Sequence, residues 1–190
     1  MATEAPDLST PRFTKAEKLI VDGQHQPDNW LLCPKETTPE DLAGYEAENL
    51  ILPLACWLAA GEQIAARRGQ TGVWLQSHER AETLVAESHT PVTDIPLIAV
   101  DFPVFSDGRG YTTARTLRSA LGYKGEMRAI GDVLRDQLFY MRRCGFSAYA
   151  MREDQDLESS LSAFSDFQEA YQAAVDQPLP LFRRGRTEPN

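Results

Sequence analysis

Short apolar runs recur along the chain from about residue 72, and segments with helical spacing separate them. The runs of strand length are VWLQS (73–77), PLIAVDF (96–102), MRAIGDV (127–133) and SAYAMR (147–152). The helical segments lie at 79–87, 112–121, 133–143 and 155–174. This alternation predicts βα units with right-handed crossovers, and therefore an α/β fold with a mainly parallel sheet. Both an open sheet and a half-barrel-like sheet fit the pattern.

The first third of the chain has a different pattern. Two apolar runs in KLIVDGQHQPDNWLLC (18–33) flank a cluster of turn residues, which predicts an N-terminal β-hairpin at the edge of the sheet. Helix-initiating residues at 37–41 lead through LAGYEAENLILPL (42–54) to a helical segment, CWLAAGEQIAARRG (56–69). Residues 1–14 are predicted to be a disordered leader and residues 183–190 a flexible tail, which leaves a single α/β domain over 15–182.

Composition narrows the classes of function. The formal net charge of -9 argues against binding to nucleic acid or to anionic membranes, since both need a basic surface. The chain has neither an apolar run of about eighteen residues nor a signal-peptide pattern at MATEAPDLSTPRF, so we expect a cytoplasmic protein. Three scattered cysteines, Cys33, Cys56 and Cys144, form no disulfide framework and fit a reducing compartment. Neither the cysteines nor the histidines have the spacing of a metal or Fe–S site.

The middle of this acidic chain is basic. Between residues 101 and 152, nine Arg and Lys residues stand against five Asp and Glu residues. Such a region indicates either a local anion site or a solvated basic face. Polar residues follow the predicted strands here, and the carboxyl ends of parallel strands form one edge, where ligands bind. We therefore expect DGRGYTT (107–113), Gly131–Asp132 and Arg152–Asp154 to lie on one edge.

The DGRGYTT stretch has the features of an anion-binding loop. Its glycines would permit positive φ or a close backbone approach to a ligand. Thr112 or Thr113 would cap the next helix, whose free N–H groups favour an anion. Arg109 would offer a bidentate fork to phosphate, sulfate or carboxylate. The anion-binding candidates are Gly108, Arg109, Gly110, Tyr111, Thr112, Arg115 and Arg135.

Three acids on the same edge are candidates for acid–base catalysis: Asp107, Asp132 and Asp136. Each of these features also has a structural interpretation. Asp132 stands where a helix N-cap is expected, and Arg109 can pair with a neighbouring carboxylate. The edge would then be an ion-pair network that holds the fold. The stretch GRGYTTA lacks the third glycine of a dinucleotide fingerprint, so no cofactor can be assigned.

The chain from 95 to 146 resembles a bacterial family, domain of unknown function 934. The family pattern is approximately FPxFxDGRGYSxARLLRxxxGYxGELRAxGDVLRDQLxxxxRCGF. This chain has FPVFSDGRGYTTARTLRSALGYKGEMRAIGDVLRDQLFYMRRCGF (102–146), with Thr112 where Ser is usual and Met127 where Leu is usual. Family members are often labelled oxidoreductases of sulfite reduction. The resemblance implies a link with assimilatory sulfate reduction through genes that neighbour sulfite reductase.

Three hypotheses follow from the residues and the resemblance together. The first is an accessory protein of sulfite reduction that binds sulfite reductase or its electron donor and presents a pocket for a small anion. The second is an enzyme, an oxidoreductase in the terms of the family label, that acts on a small oxyanion or a sulfonucleotide. The third is a purely protein–protein role, with DGRG and GDVLRDQ forming a structural ion-pair network. A homo-oligomer is compatible with all three.

Overall fold

A computed structural model describes residues 13–167 and 169–184 of the protein. These residues form an α/β fold with one eight-stranded sheet and six short helices. The strands are β1 (Leu19–Val21), β2 (Gln24–Gln26), β3 (Trp30–Leu32), β4 (Asn49–Pro53), β5 (Thr71–Leu75), β6 (Leu97–Phe102), β7 (Glu126–Gly131) and β8 (Ala148–Ala150). The helices are α1 (Leu54–Ala60), α2 (Ala81–Glu87), α3 (Arg109–Arg115), α4 (Leu138–Cys144), α5 (Leu157–Ser162) and α6 (Leu181–Arg184).

The sheet is mixed and curls into a half-barrel. Strands β3 to β8 lie side by side in chain order and run parallel. The hairpin continues the sheet in the antiparallel sense, with β1 beside β8 and β2 at the edge. The prediction of a mainly parallel sheet therefore holds for the βα units but not for the hairpin. Consecutive strand order arises when right-handed crossovers each advance by one strand, which places the helices on one face.

The two faces of the sheet have different cores. On the outer face, strand residues such as Leu52, Val100 and Ala129 pack with Leu84 and Leu138 of the helices in the main core. Alternate residues point to the inner face. There a smaller cluster contains Ile51, Trp74, Leu97, Ala99 and Ile130. The inner face therefore lines a hollow that no helix of the main core fills.

The predicted N-terminal hairpin is present, but its second strand is not the predicted one. The chain turns at Asp22 and Gly23, with φ of 49° and 77°, as a two-residue hairpin turn requires, and returns as the exposed β2. The second apolar run instead forms β3, which pairs in parallel with β4. The sequence predicted no strand at β4, whose residues were assigned to the segment that leads into the helix predicted at 56–69. A short continuous apolar run fits a buried strand and a buried helix equally well, and here four of the five residues of β4 are buried.

Several predicted helices are shorter or shifted. The helix predicted at 112–121 begins at Arg109 and ends in a π-helical turn over Thr116–Ala120. The helix predicted at 155–174 is only α5 and a 3-10 turn, with Asp156 as its N-cap, where the side chain accepts a hydrogen bond from the Ser159 N–H at 2.7 Å. The helix-initiating residues at 37–41 form a 3-10 turn, Pro39–Leu42.

The predicted leader (1–14) and tail (183–190) lie largely outside the described residues. At the boundary of the leader, the backbone of Thr14 exchanges hydrogen bonds of 3.1 and 2.7 Å with Leu32 of β3. Four residues later the carbonyl of Lys18 accepts a hydrogen bond of 2.8 Å from Met151, directly after β8. Residues Thr14–Lys18, which we call the N-terminal strap, thus connect the β3 side of the half-barrel to its β8 side.

Candidate functional site

The segments that follow β5, β6, β7 and β8 are joined by hydrogen bonds along one edge of the sheet. The Ser77 hydroxyl after β5 accepts from Arg109 at 2.9 Å. The backbone N–H of Phe105, after β6, donates to Asp132, after β7, at 2.8 Å. Asp132 in turn accepts from Arg152, after β8, at 2.5 Å. Of the polar residues predicted to share this edge, Asp132 and Arg152 are in direct contact, whereas Asp132 meets the loop after β6 at the backbone of Phe105.

Arg109 is anchored by a bidentate ion pair with Asp107. Its Nε and Nη2 donate to the two carboxylate oxygens of Asp107 at 2.9 and 2.6 Å, and its backbone N–H adds a third hydrogen bond of 3.1 Å. The Asp107 side chain is only 9% exposed, whereas that of Arg109 is 61% exposed. The hydrogen bonds from Arg109 hold the pKa of Asp107 well below its usual range. Asp107 is thus an ionised anchor for Arg109, which makes it a poor proton donor at neutral pH.

The two glycines of the DGRG stretch lack the positive φ that was one of their two predicted uses. Gly108 has φ of -84° and is the N-cap of α3, so neither Thr112 nor Thr113 caps this helix. Gly110 is buried in the first turn of α3, where an added Cβ would lie 2.7 Å from the ring of Phe102. Neither glycine has a positive φ. The glycine at 110 is required by helix-to-strand packing, because no larger residue fits against Phe102.

The other arginine candidates do not converge on Arg109. Arg115 is exposed on α3 and borders an adjacent groove beside Tyr140, which shares Thr112 and Thr116 with the pocket beside Arg109. Arg135 donates to Asp166 at 2.9 and 3.0 Å and to the backbone carbonyl of Ser159 at 3.0 Å, which ties it to the α5 region. The sequence reasoning expected Arg109, Arg115 and Arg135 to share one pocket. Spacing along the chain could not reveal that they face different neighbours.

Tyr111 is a packing residue. Its ring lies between those of Phe102 and Tyr140, with centroid distances of 5.2 and 5.0 Å. Burial raises the pKa of its hydroxyl to about 12, so the phenol stays protonated. The half-buried ring fixes α3 against β6 and α4 and thereby sets the position of Arg109 at the start of the helix.

The remaining catalytic candidates have different surroundings. Asp132 is not an N-cap, since it accepts hydrogen bonds from Phe105 and from Arg152, as described above. Arg152 is shared with Asp154, whose pKa this contact lowers to about 2. Asp136 is exposed in the 3-10 turn before α4. None of these carboxylates lines the pocket beside Arg109.

A pocket of about 340 Å³, which we call the Arg109 pocket, lies between the loop after β5 and the helix α3. Its lining includes hydroxyl, imidazole, guanidinium and carboxylate groups from Ser77, His78, Glu79, Arg80, Glu82, Arg109, Thr112, Thr113 and Thr116. Nη1 of Arg109 has no acceptor among the described residues. This set of donors is suited to an oxyanion with several acceptor oxygens.

The sequence analysis missed two functional candidates on this edge. Ser77 orients Arg109 and lines its pocket, but a single serine after an apolar run gives little signal. Asp101 is the penultimate residue of β6, and burial together with the nearby charge of Asp107 raises its pKa. A charged residue within an otherwise apolar strand was the available signal for Asp101.

The described part of the chain has neither a metal-binding cluster nor a membrane-spanning helix. Residues 13–167 and 169–184 contain no group of three or more His, Cys, Asp and Glu side chains that could hold a metal ion. In the same residues, no helix is long and apolar enough to cross a membrane.

The comparisons with known proteins place the chain in a family. The profile of a bacterial protein family of unknown function, DUF934, matches residues 72–182. The chain belongs to this family. The matched DUF934 region runs from β5 to α6 and includes the Arg109 pocket, whereas the strap, the hairpin and strands β3 and β4 precede it. Neither the search of curated proteins nor that of solved structures found a match.

Proposed function

We propose that the protein is a cytoplasmic accessory protein of assimilatory sulfite or sulfate reduction that binds a small oxyanion in the Arg109 pocket. The observation that carries this proposal is the orientation of Arg109. One side of its guanidinium is fixed by Asp107 and Ser77, while Nη1 has no acceptor among the described residues. A fixed guanidinium loses little side-chain entropy when it binds a ligand, and this favours affinity.

The lining of the pocket supports an oxyanion as the ligand. Threonine hydroxyls of α3 can donate to several oxygens of one tetrahedral anion, whereas the charge of the second arginine, Arg80, is offset by Glu82. Two acids also line the pocket, but Glu79 accepts from the Gln76 N–H at 2.7 Å and Glu82 lies 3.5 Å from Arg80. Since Asp107 already balances Arg109, hydrogen bonds rather than net charge would dominate the affinity.

The association with sulfite reduction rests on the family resemblance, and two further features are compatible with it. The three cysteines are buried and free, which fits a reducing compartment. Large apolar side chains are exposed near this edge and on the C-terminal half, among them Val104, Phe105, Tyr140, Phe167, Tyr171 and Phe182. Such exposure is typical of protein-binding surfaces, and it supports docking to sulfite reductase or its electron donor.

Thermal unfolding with and without anions tests the proposal. Purified protein is measured with sulfate, sulfite, phosphate and adenosine phosphosulfate, with chloride at equal ionic strength as the reference. A ligand at a hundred times its dissociation constant stabilises a protein by about 2.7 kcal/mol, or roughly 5 to 10 °C for a chain of this size. We expect such a shift for wild type and its loss in Arg109→Ala.

The matched control is Arg135→Ala, which removes the same charge from an exposed ion pair outside the pocket. This variant should keep the shift of the wild type. If no anion stabilises the wild type, or if Arg109→Ala responds as the wild type does, the oxyanion site is wrong. Retention of sulfite reductase by immobilised protein, compared with the same resin without protein, tests the accessory role separately.

A purely structural role of this edge is the second candidate, and the chain Phe105–Asp132–Arg152 favours it. A structural edge would make Arg109→Ala destabilising without any ligand. A loss of stability in ligand-free Arg109→Ala that exceeds the loss in Arg135→Ala would therefore support the structural role, and its absence would favour the ligand site.

A further inference from the structure

The inner face of the half-barrel holds a second pocket, of about 360 Å³, which we call the inner pocket. It shares no residue with the Arg109 pocket. Its walls come from the carboxyl ends of β3, β7 and β8, from the middle of β4, and from the N-terminal strap. The strap connects the two sides of the half-barrel, as described above, and so it partly encloses the hollow. The inner pocket therefore lies where parallel-sheet proteins gather their ligands.

A buried guanidinium contributes to the lining of this pocket. The Arg128 side chain is only 2% exposed. Its Nε donates to Glu126 at 2.8 Å and its Nη1 to Asp28 at 3.0 Å. Nη2 has no acceptor among the described residues and is not sealed from solvent, so its two N–H donors open onto the pocket. A ligand oxygen at Nη2 would replace water there and gain a charge-assisted hydrogen bond.

Asp28 fixes this guanidinium to the strap and to the start of β3. Its carboxylate is 3% exposed and accepts hydrogen bonds from the backbone N–H groups of Ala16 at 2.9 Å and Trp30 at 3.0 Å. Arg128 is thus held in place before any ligand binds. Such preorganisation is the feature that distinguishes a binding group from a mobile surface arginine.

The rest of the pocket wall determines the class of ligand. Leu32, Ile51 and Ile130 form an apolar wall. The charged residues of the lining balance, with Lys15, Arg128 and Arg152 against Glu17, Asp28 and Glu153. A ligand with a net charge gains little from such a lining, whereas a molecule that carries both signs can pair with both. Carboxylate at Arg128, ammonium at the acids of the rim and an aliphatic body on the apolar wall satisfy all three features.

We propose that the inner pocket binds a free amino acid with an aliphatic side chain. Its carboxylate accepts from Nη2 of Arg128, its ammonium group faces Glu17 and Glu153, and its side chain packs on Leu32, Ile51 and Ile130. This binding is independent of the oxyanion in the Arg109 pocket. Amino-acid binding in the inner pocket would let the protein respond to the concentration of an amino acid while an oxyanion occupies the Arg109 pocket.

Titration calorimetry of the full chain with three families of probe tests this proposal. The zwitterionic probes are L-leucine, L-valine and L-methionine. For leucine, 4-methylpentanoate lacks the ammonium group and 3-methylbutylamine lacks the carboxylate. We expect at least one amino acid to bind, and its two truncated analogues to bind about tenfold more weakly or worse, since each loses a charged hydrogen-bonded contact.

Two variants locate the site. Ala150→Leu fills the pocket from β8 without removing any polar group and should abolish amino-acid binding. The control Ala55→Leu makes the same change at an exposed position of α1 and should bind as the wild type does. Arg109→Ala should also leave amino-acid binding unchanged. If no amino acid binds at millimolar concentration, if the truncated analogues bind equally well, or if Ala150→Leu binds as the wild type does, the proposal is wrong.

Discussion

Gly110 lies against a ring that has no room to move, and its replacement should be costly. An added Cβ would meet three carbon atoms of the Phe102 ring at 2.7, 3.0 and 3.1 Å, well inside the usual contact distance of about 3.5 to 4.0 Å. Phe102 is fully buried, and the rings of Tyr111 and Phe146 flank it with centroid distances of 5.2 and 5.7 Å. We expect Gly110→Ala to lower the free energy of unfolding by about 1 to 3 kcal/mol.

Gly108 is the matched control for this substitution. A Cβ at Gly108 would have one neighbour, the ring of Tyr111 at 3.9 Å, and its φ of -84° suits any residue. Its replacement by alanine should change stability by less than about 1 kcal/mol, because a weaker N-cap is offset by a less flexible unfolded chain. Urea unfolding followed by circular dichroism measures both variants. Equal stability of Gly110→Ala and wild type would refute the packing role of Gly110.

Two further predictions concern ion pairs. Asp28→Ala removes a partner of a buried arginine and should lower stability by about 3 kcal/mol or more, whereas Lys35→Ala breaks an exposed pair with Glu36 and should cost less than about 1 kcal/mol; similar urea midpoints for the two would contradict this ranking. The contact with Arg109 depresses the folded-state pKa of Asp107, so the stability from this pair is present above about pH 4 and is lost as the pH falls further. Asp107→Asn should therefore show a flatter dependence of melting temperature on pH in the acid range, and an unchanged slope would argue against the pair.

The βα half of the fold was predictable from the sequence, because each of the strands β5 to β8 forms from an apolar run that turn residues bound. The hairpin was predictable as a motif but not in its pairing. The turn at residues 22 and 23 reverses the chain, so that β2 pairs with β1. The apolar run of β3 therefore has no partner in the hairpin and pairs with β4. Pairing between distant strands depends on tertiary contacts that local patterns do not contain. For the same reason β4 was assigned to the approach of a helix.

The candidate site was predictable only in part. The sequence indicated that DGRG, Asp132 and Arg152 would lie at one edge, because parallel strands end there; Asp132 and Arg152 are in contact, whereas Arg109 contacts Ser77 instead. It could not indicate that Gly110 packs on Phe102, since a glycine in a polar stretch looks the same whether it bends the chain or packs tightly. Nor could it indicate the partner of Arg128, because Asp28 is one hundred residues away in the chain.

The most direct measurement of the central claim is a crystal structure of the protein grown with selenate, which mimics sulfate and scatters anomalously at the selenium edge. We expect an anomalous peak in the Arg109 pocket, with a selenate oxygen within hydrogen-bond distance of Nη1 of Arg109 and of a threonine hydroxyl of α3. A crystal of Arg109→Ala grown in the same way should lack that peak. An empty Arg109 pocket in wild-type crystals, or a peak that survives in Arg109→Ala, would contradict the proposed anion site.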